Sequence, residues 1–134
     1  MPYHESGGNI TWADCTLRSW LHHNFYKSLP EQIKSRVAEV VNQNQNNAEY
    51  GTAGGKPTKD KVFLLSLDEV NKYFSSGQER IAKYEGSDFW WWLRSPGGYA
   101  GHAALVIGGG GVYASGYDVD YDSGGVRPAL WLNL

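Results

Sequence analysis

The sequence predicts an α+β fold on three observations. Apolar residues recur at helical spacings through the first part of the chain, short apolar runs of strand length follow, and everything after Pro96 breaks into Gly-punctuated fragments too short for helices. The 134 residues suffice for one domain, 1–134, with a core that needs no staples. Two N-terminal helices are expected to pack on short antiparallel strands, with a Gly-rich meander near the C-terminus.

Thr11 or Asp14 can cap a first helix carrying Leu17, Trp20, Leu21, Asn24 and Phe25, apolar at spacings of three and four. Pro30 suits the first turn of a second helix with Ile33, Val37, Val40 and Val41 on one face. Residues 43–59 are polar, rich in Asn and Gly and without periodicity, and read as a loop. Val62-Phe63-Leu64-Leu65 reads as a buried strand. Ser66 and Glu69 then have the spacing of a capping box, ahead of a helix through Val70, Tyr73 and Phe74. A strand through Trp90–Leu93 follows; alternation places Trp91 in the core and leaves Trp90 and Trp92 partly open. Val106, Val112, Val119 and Val126 recur every six or seven residues among glycines, which suits short strands each pinned to the core by its valine. The closing segment 126–134 reads as a core strand, with Pro128 arguing for an edge or a bulge.

A hydrophobic content of 41% and six Trp residues indicate a packed interior, and a net charge of −2 offers no basic surface for nucleic acid. No apolar run approaches the roughly 18 residues of a membrane span, so no membrane insertion is expected. The opening Met1-Pro2-Tyr3-His4-Glu5 lacks the regions of a signal peptide; synthesis in a cytoplasm is expected, with display on a virion or cell surface compatible. The lone Cys15 reads as a buried small hydrophobe.

The segment from Gly98 to Ser123 has a composition of its own. Lys, Glu, Gln, Met and Trp supply 25 residues of the chain, and none lies in this stretch. Its nine residue types are all encoded by codons ending in C, and the five missing types are not. Randomising both adenines of AAC leaves such an alphabet.

Three stretches run in a fixed order: Asn9-Ile10-Thr11-Trp12-Ala13-Asp14-Cys15-Thr16-Leu17-Arg18-Ser19-Trp20-Leu21, Lys61–Val70, and Trp91-Trp92-Leu93-Arg94-Ser95-Pro96 together with Gly125-Val126-Arg127-Pro128-Ala129-Leu130. In this order they resemble the bacterial and phage DUF6273 family over nearly the whole chain. The resemblance implies a C-type lectin-like fold related to formylglycine-generating enzymes. Some relatives are variable proteins of diversity-generating retroelements, in which a reverse transcriptase rewrites adenine positions at the 3′ end of the gene. It also implies fixed positions at Ala103, Ala104, Val106, Gly110, Val112, Gly116, Val119 and Gly124. Family members usually carry one or two strands ahead of the Tyr3-His4-Glu5 region that are absent here, so a homo-oligomer whose second copy supplies them is one expectation.

The chemical motifs favour no catalysis. Asp118, Asp120 and Asp122 alternate, but Ser123 and Ala129 stand where an EF-hand needs Gly and Glu, so a solvated or ligand-facing acidic patch is preferred to calcium. His22 and His23 step about 100° apart on a helix and cannot share a metal; with His4 they read as surface residues. No nucleophile elbow, dinucleotide fingerprint or P-loop is complete, and one cysteine does not support oxidase chemistry. Arg94 and Arg127 are expected to make fixed hydrogen bonds to carbonyls or carboxylates.

Neither enzyme activity nor a cofactor is therefore expected; the expected function is recognition of a protein or cell-surface ligand. The residues expected to face outward from one side are Tyr99, Ala100, His102, Leu105, Ile107, Gly109, Gly111, Tyr113, Ala114, Ser115, Tyr117, Asp118, Asp120, Tyr121 and Asp122. Tyr anchors among small, adaptable residues are the mixture that antibody loops use. The competing expectation is a carbohydrate-binding module of fixed specificity built from Trp90, Trp92 and the tyrosines.

Overall fold

Residues 1–134 are all described by a computed structural model. A 3-10 turn at Trp12–Asp14 leads into a helical run made of α1 (Thr16–Trp20), a π turn at Leu21–Phe25 and α2 (Tyr26–Ser28). The first helix is thus where the periodicity predicts it, but neither expected cap is made: Thr11 precedes the 3-10 turn without a side-chain cap, Asp14 lies within that turn, and Cys15 precedes α1. One face buries Leu17 and Leu21 beside Trp12 and Tyr3. Cys15 is buried as expected, and loss of solvent pushes its thiol up to about 12.

The second helix is a correction. After Pro30 only α3, Glu31–Lys34, is helical; Val37 bridges Leu132, and β1, Val40–Asn42, pairs antiparallel with β2, Thr58–Asp60. Three β-branched valines lose rotamer freedom in a helix and fit a strand surface, and β2 supplies a partner that local reading cannot see. The expected loop accordingly ends at Thr58. The Ser66–Glu69 capping box is present, and α4 runs over Leu67–Tyr73 with Val70 buried. A short α5, Gly77–Arg80, and a hairpin of β3 (Ala82–Tyr84) and β4 (Ser87–Phe89) follow. Its two-residue turn, Glu85-Gly86, has both φ angles positive, as a tight hairpin requires.

The central sheet has three antiparallel strands in the order β5-β6-β7: Trp91–Pro96, His102–Val106 and Val112–Asp118. Two apolar clusters enclose β6. Ala103, Leu105 and Trp92 join Tyr3, Trp12, Leu17, Leu21 and Phe63 on one side; Ala104, Val106, Trp91 and Leu93 join Val70 on the other. Trp91 and Trp92 thus face opposite ways as alternation requires, but Trp92 is fully buried rather than partly open, because the N-terminal segment covers it and Met1 O accepts from its indole N–H at 2.9 Å.

The closing segment is not a continuous core strand. It touches its neighbours through single bridges, Gly125 to Trp91, Ala129 to Phe63 and Leu132 to Val37, and Trp131 stays half exposed. Pro128 has no N–H to give a ladder, which fits this interrupted lacing. Val62, Phe63 and Leu64 are buried and Leu65 partly so, but the segment makes a single strand-like bridge, Phe63 to Ala129, while Arg94 donates to the carbonyls of Leu64 and Leu65. No helix is long and apolar enough to cross a membrane. Mixed helices and antiparallel sheets make the fold α+β.

Polar anchors fix this frame. Asp60 is fully buried, and its carboxylate accepts from Trp12 Nε1 (3.0 Å), Arg18 Nε (2.7 Å), Asn42 Nδ2 (2.8 Å) and Thr58 Oγ1 (2.7 Å). His22 Nε2 lies 3.2 Å from its Oδ1, close enough for charge attraction but without the alignment of a hydrogen bond. Burial alone would raise the Asp60 carboxyl; the groups around it, His22, Trp12, Asn42 and Thr58, outweigh that and hold it well below the usual carboxylate range. His22 is therefore no simple surface residue, whereas His23 is exposed. Arg94, also buried, donates to Leu64 O (2.8 Å), Asn44 Oδ1 (3.1 Å) and the Glu69 carboxylate, and its own carbonyl accepts from Tyr3 Oη at 2.7 Å. Arg127 donates to Arg80 O at 3.1 Å and stacks over Trp91 at 4.5 Å. Both arginines make the fixed contacts expected of them.

Candidate ligand-binding surface

The surface starts from β7, an outer strand of the sheet. Its path is bent by Gly116, whose φ is +70°. A Cβ there would sit 1.9 Å from Ala103 O, so only glycine allows β7 to lie this close to β6. Gly110, in the β6–β7 turn, has φ +92° and a Cβ position 2.0 Å from Gly77 O. Asn47 ties the long loop to the same region: its Nδ2 donates to Pro96 O (2.9 Å) and Ala114 O (3.0 Å), and its Oδ1 accepts from the amides of Glu49 and Tyr50. The sequence reading missed this staple, although an Asn-rich loop beside a sheet is where side chains that mimic backbone turns collect.

Burial divides the segment with two departures, Val112 and Leu105. Of the eight positions expected to be fixed, Ala103, Ala104, Val106, Gly110, Gly116, Val119 and Gly124 are buried, and Val112 is partly buried against the Val70–Trp91 cluster. Of the fifteen positions expected to face outward, fourteen are exposed or partly exposed. Leu105 is the exception and a correction. It is fully buried beside Trp92, because β6 is covered on both faces and has no outward side.

The outward residues do not form one continuous face. Tyr113, Tyr117 and Tyr121 make a ladder with centroid separations of 5.6 and 5.4 Å, and Tyr117 meets Trp90 edge-on at 5.0 Å. Tyr99 stacks near the His102 ring at 3.9 Å, and His102 Nε2 lies 2.9 Å from Asp118 Oδ1, joining the strand end to this ladder. Ala100 is exposed next to Tyr99, while Ile107, Gly109 and Gly111 belong to the β6–β7 turn. Ala114 points the other way, lining a polar groove of about 520 Å³ with Asn46, Asn47, Asn71 and Ser95. The carbonyl of Ser115 is taken up by Gly98 N at 2.8 Å.

The three aspartates also do not share a strand face. β7 ends at Asp118, and Tyr121 N donates to Asp118 O in a turn that carries Asp120 and Asp122 away. Asp120 lies against Gly7, and Asp122 O accepts from the Met1 ammonium at 2.6 Å. No group of three or more His, Cys, Asp or Glu side chains is placed to hold a metal ion.

The tyrosines differ in how deeply they are anchored. Tyr113 is 43% exposed, whereas Tyr117 packs on the main core cluster. The Tyr113→Ala variant is expected to keep its unfolding free energy within about 0.5 kcal/mol of the parent. Tyr117→Ala is expected to lose about 1–2 kcal/mol through its buried apolar area. Urea unfolding of the two variants measures both, and equal losses would contradict the assignment of Tyr113 to the surface.

The model of the domain of unknown function DUF6273 matches the chain over residues 1–134. No curated protein and no solved structure matches it.

Proposed function

This chain belongs to the DUF6273 family, and on that premise we propose that it is a non-enzymatic ligand-binding scaffold of C-type lectin-like fold. Residues 98–123 form its interchangeable surface, diversified by a retroelement and directed at a protein or cell-surface target. The observation that carries this reading is the division of the segment by burial. Seven of the eight positions that template-directed diversification would leave alone are buried and the eighth, Val112, packs on the core, while all but one of those it would rewrite are at least partly outside. A surface subject to replacement must leave the core untouched, because core volume changes cost kilocalories.

The tyrosine ladder supplies aromatic area at low conformational cost, and Asp118, Asp120 and Asp122 supply acidity that would steer a basic partner and raise its on-rate. Once a ligand is in hand, Tyr113→Ala is expected to weaken binding by about 2 kcal/mol or more. The rival reading, carbohydrate binding of fixed specificity, loses Trp92, which is fully buried. A glycan array against a protein-ligand screen separates the two. The retroelement itself is tested in the DNA: C-ending codons at the outward positions are expected, with a nearby near-repeat of the 3′ end differing only at adenines. Third bases scattered over all four letters would remove that part of the proposal.

A further inference from the structure

We infer that a cavity between the π turn and the outer side of β2 is an anion site for small phosphate-bearing molecules, separate from the variable surface. The cavity has a volume of about 320 Å³; His22, His23, Tyr26 and Lys27 line it from the helix, and Glu39, Lys59 and Lys61 from the strand side. Three of the chain's seven lysines and two of its four histidines meet here, against one exposed carboxylate, in a protein of net charge −2.

Each wall has a local cause. In β2, Thr58 and Asp60 point inward, so alternation turns Lys59 outward, and Lys61 continues that side just past the strand. In the helix, Tyr26 N–H reaches back five residues to Leu21 O. A turn closed over five residues steps each side chain by less than the α-helical 100°, which lets His22 and His23 border one cavity; such turns are rare and frequent at functional sites. The walls are tied together: Arg18 Nη2 donates to Lys59 O at 3.2 Å, and Lys61 Nζ rests over the Tyr26 ring at 5.0 Å. Asp60 does not cancel the field, since Arg18 and three neutral donors already engage its oxygens. His22 Nε2, buried 3.2 Å from Asp60 Oδ1, has no hydrogen-bond partner of its own.

The shape selects the ligand class. A concave site of this volume suits a small molecule, and an extended polyanion would need a basic stripe that the rest of the surface lacks. Inorganic pyrophosphate is the probe. Titration of the intact protein, followed by calorimetry and by amide and histidine NMR shifts, is expected to move resonances of His22, His23, Lys27, Lys59 and Lys61 but not those of Tyr113 or Tyr121. The Lys59→Gln/Lys61→Gln double variant is expected to bind at least tenfold more weakly with an unchanged melting temperature. Three results would overturn the inference: sodium chloride at equal ionic strength producing the same shifts, the double variant binding like the parent, or an acidic peptide or phosphatidylserine vesicle binding where pyrophosphate does not.

Discussion

Replacing Asp60 by Ala is expected to destabilise the protein by about 3–5 kcal/mol, the range for removing one partner from a buried charge pair. A domain of this size has only about 5–15 kcal/mol in total, so the variant should sit near the edge of folding at 25 °C. The deletion would strand the Arg18 guanidinium and leave Trp12 Nε1, Asn42 Nδ2 and Thr58 Oγ1 without their acceptor. These donors come from the 3-10 turn, α1, β1 and β2, so one carboxylate holds four elements together. Asn at this position is no rescue, because its amide would present a donor to donors.

The same group sets a pH dependence whose sign follows from linkage. Asp60 has a folded-state pKa held below the usual range, whereas the unfolded chain releases that proton near pH 3.9. Below about pH 5 the unfolded state therefore binds more protons, and stability falls as the pH drops through the unfolded value towards the folded one. Above that window the contribution is complete. Urea unfolding between about pH 2.5 and pH 6 should give a steeper rise for the parent than for Asp60→Ala. Parallel curves would show that Asp60 is not the hub described.

The second large effect is expected at Gly116. Gly116→Ala combines a left-handed backbone, costing about 1–2 kcal/mol, with overpacking of about 1–3 kcal/mol against the Ala103 carbonyl. Ala103 belongs to the middle strand and cannot retreat, so a loss of roughly 2–5 kcal/mol is expected from these two terms. Gly109→Ala, with nothing within 4 Å of its Cβ position, should fall within about 0.5 kcal/mol of the parent. The pair separates a fixed from an exchangeable glycine in one run, and similar losses for both would contradict the division.

What could be read from the sequence depended on how local the cause was. Ser66 and Glu69 make their capping box within one turn, so their spacing was sufficient. The opposite facing of Trp91 and Trp92 follows from the period of a strand, but the full burial of Trp92 depends on Met1, 91 residues away. Val37, Val40 and Val41 matched a helical period and still became extended, because β2 and Leu132 lie far along the chain. Leu105 faces outward only if its strand has one wet face, and β6 has none. The Asp60 hub was invisible for the same reason, since Trp12 and Arg18 stand 48 and 42 residues from it. In the candidate site, the composition of residues 98–123 pointed to the segment, while the turn after Asp118 that parts the three aspartates had no signature in their alternation.

The central claim is that an inert frame carries an exterior that can be exchanged. Its most direct measurement compares two libraries built with C-ending codons, one at the fourteen outward positions without Leu105 and one at the eight buried or core-packed positions. Protease resistance of the displayed members reads folding. Most members of the first library are predicted to stay folded with parent-like resistance, and most of the second to be lost. Equal survival in the two libraries would contradict the account.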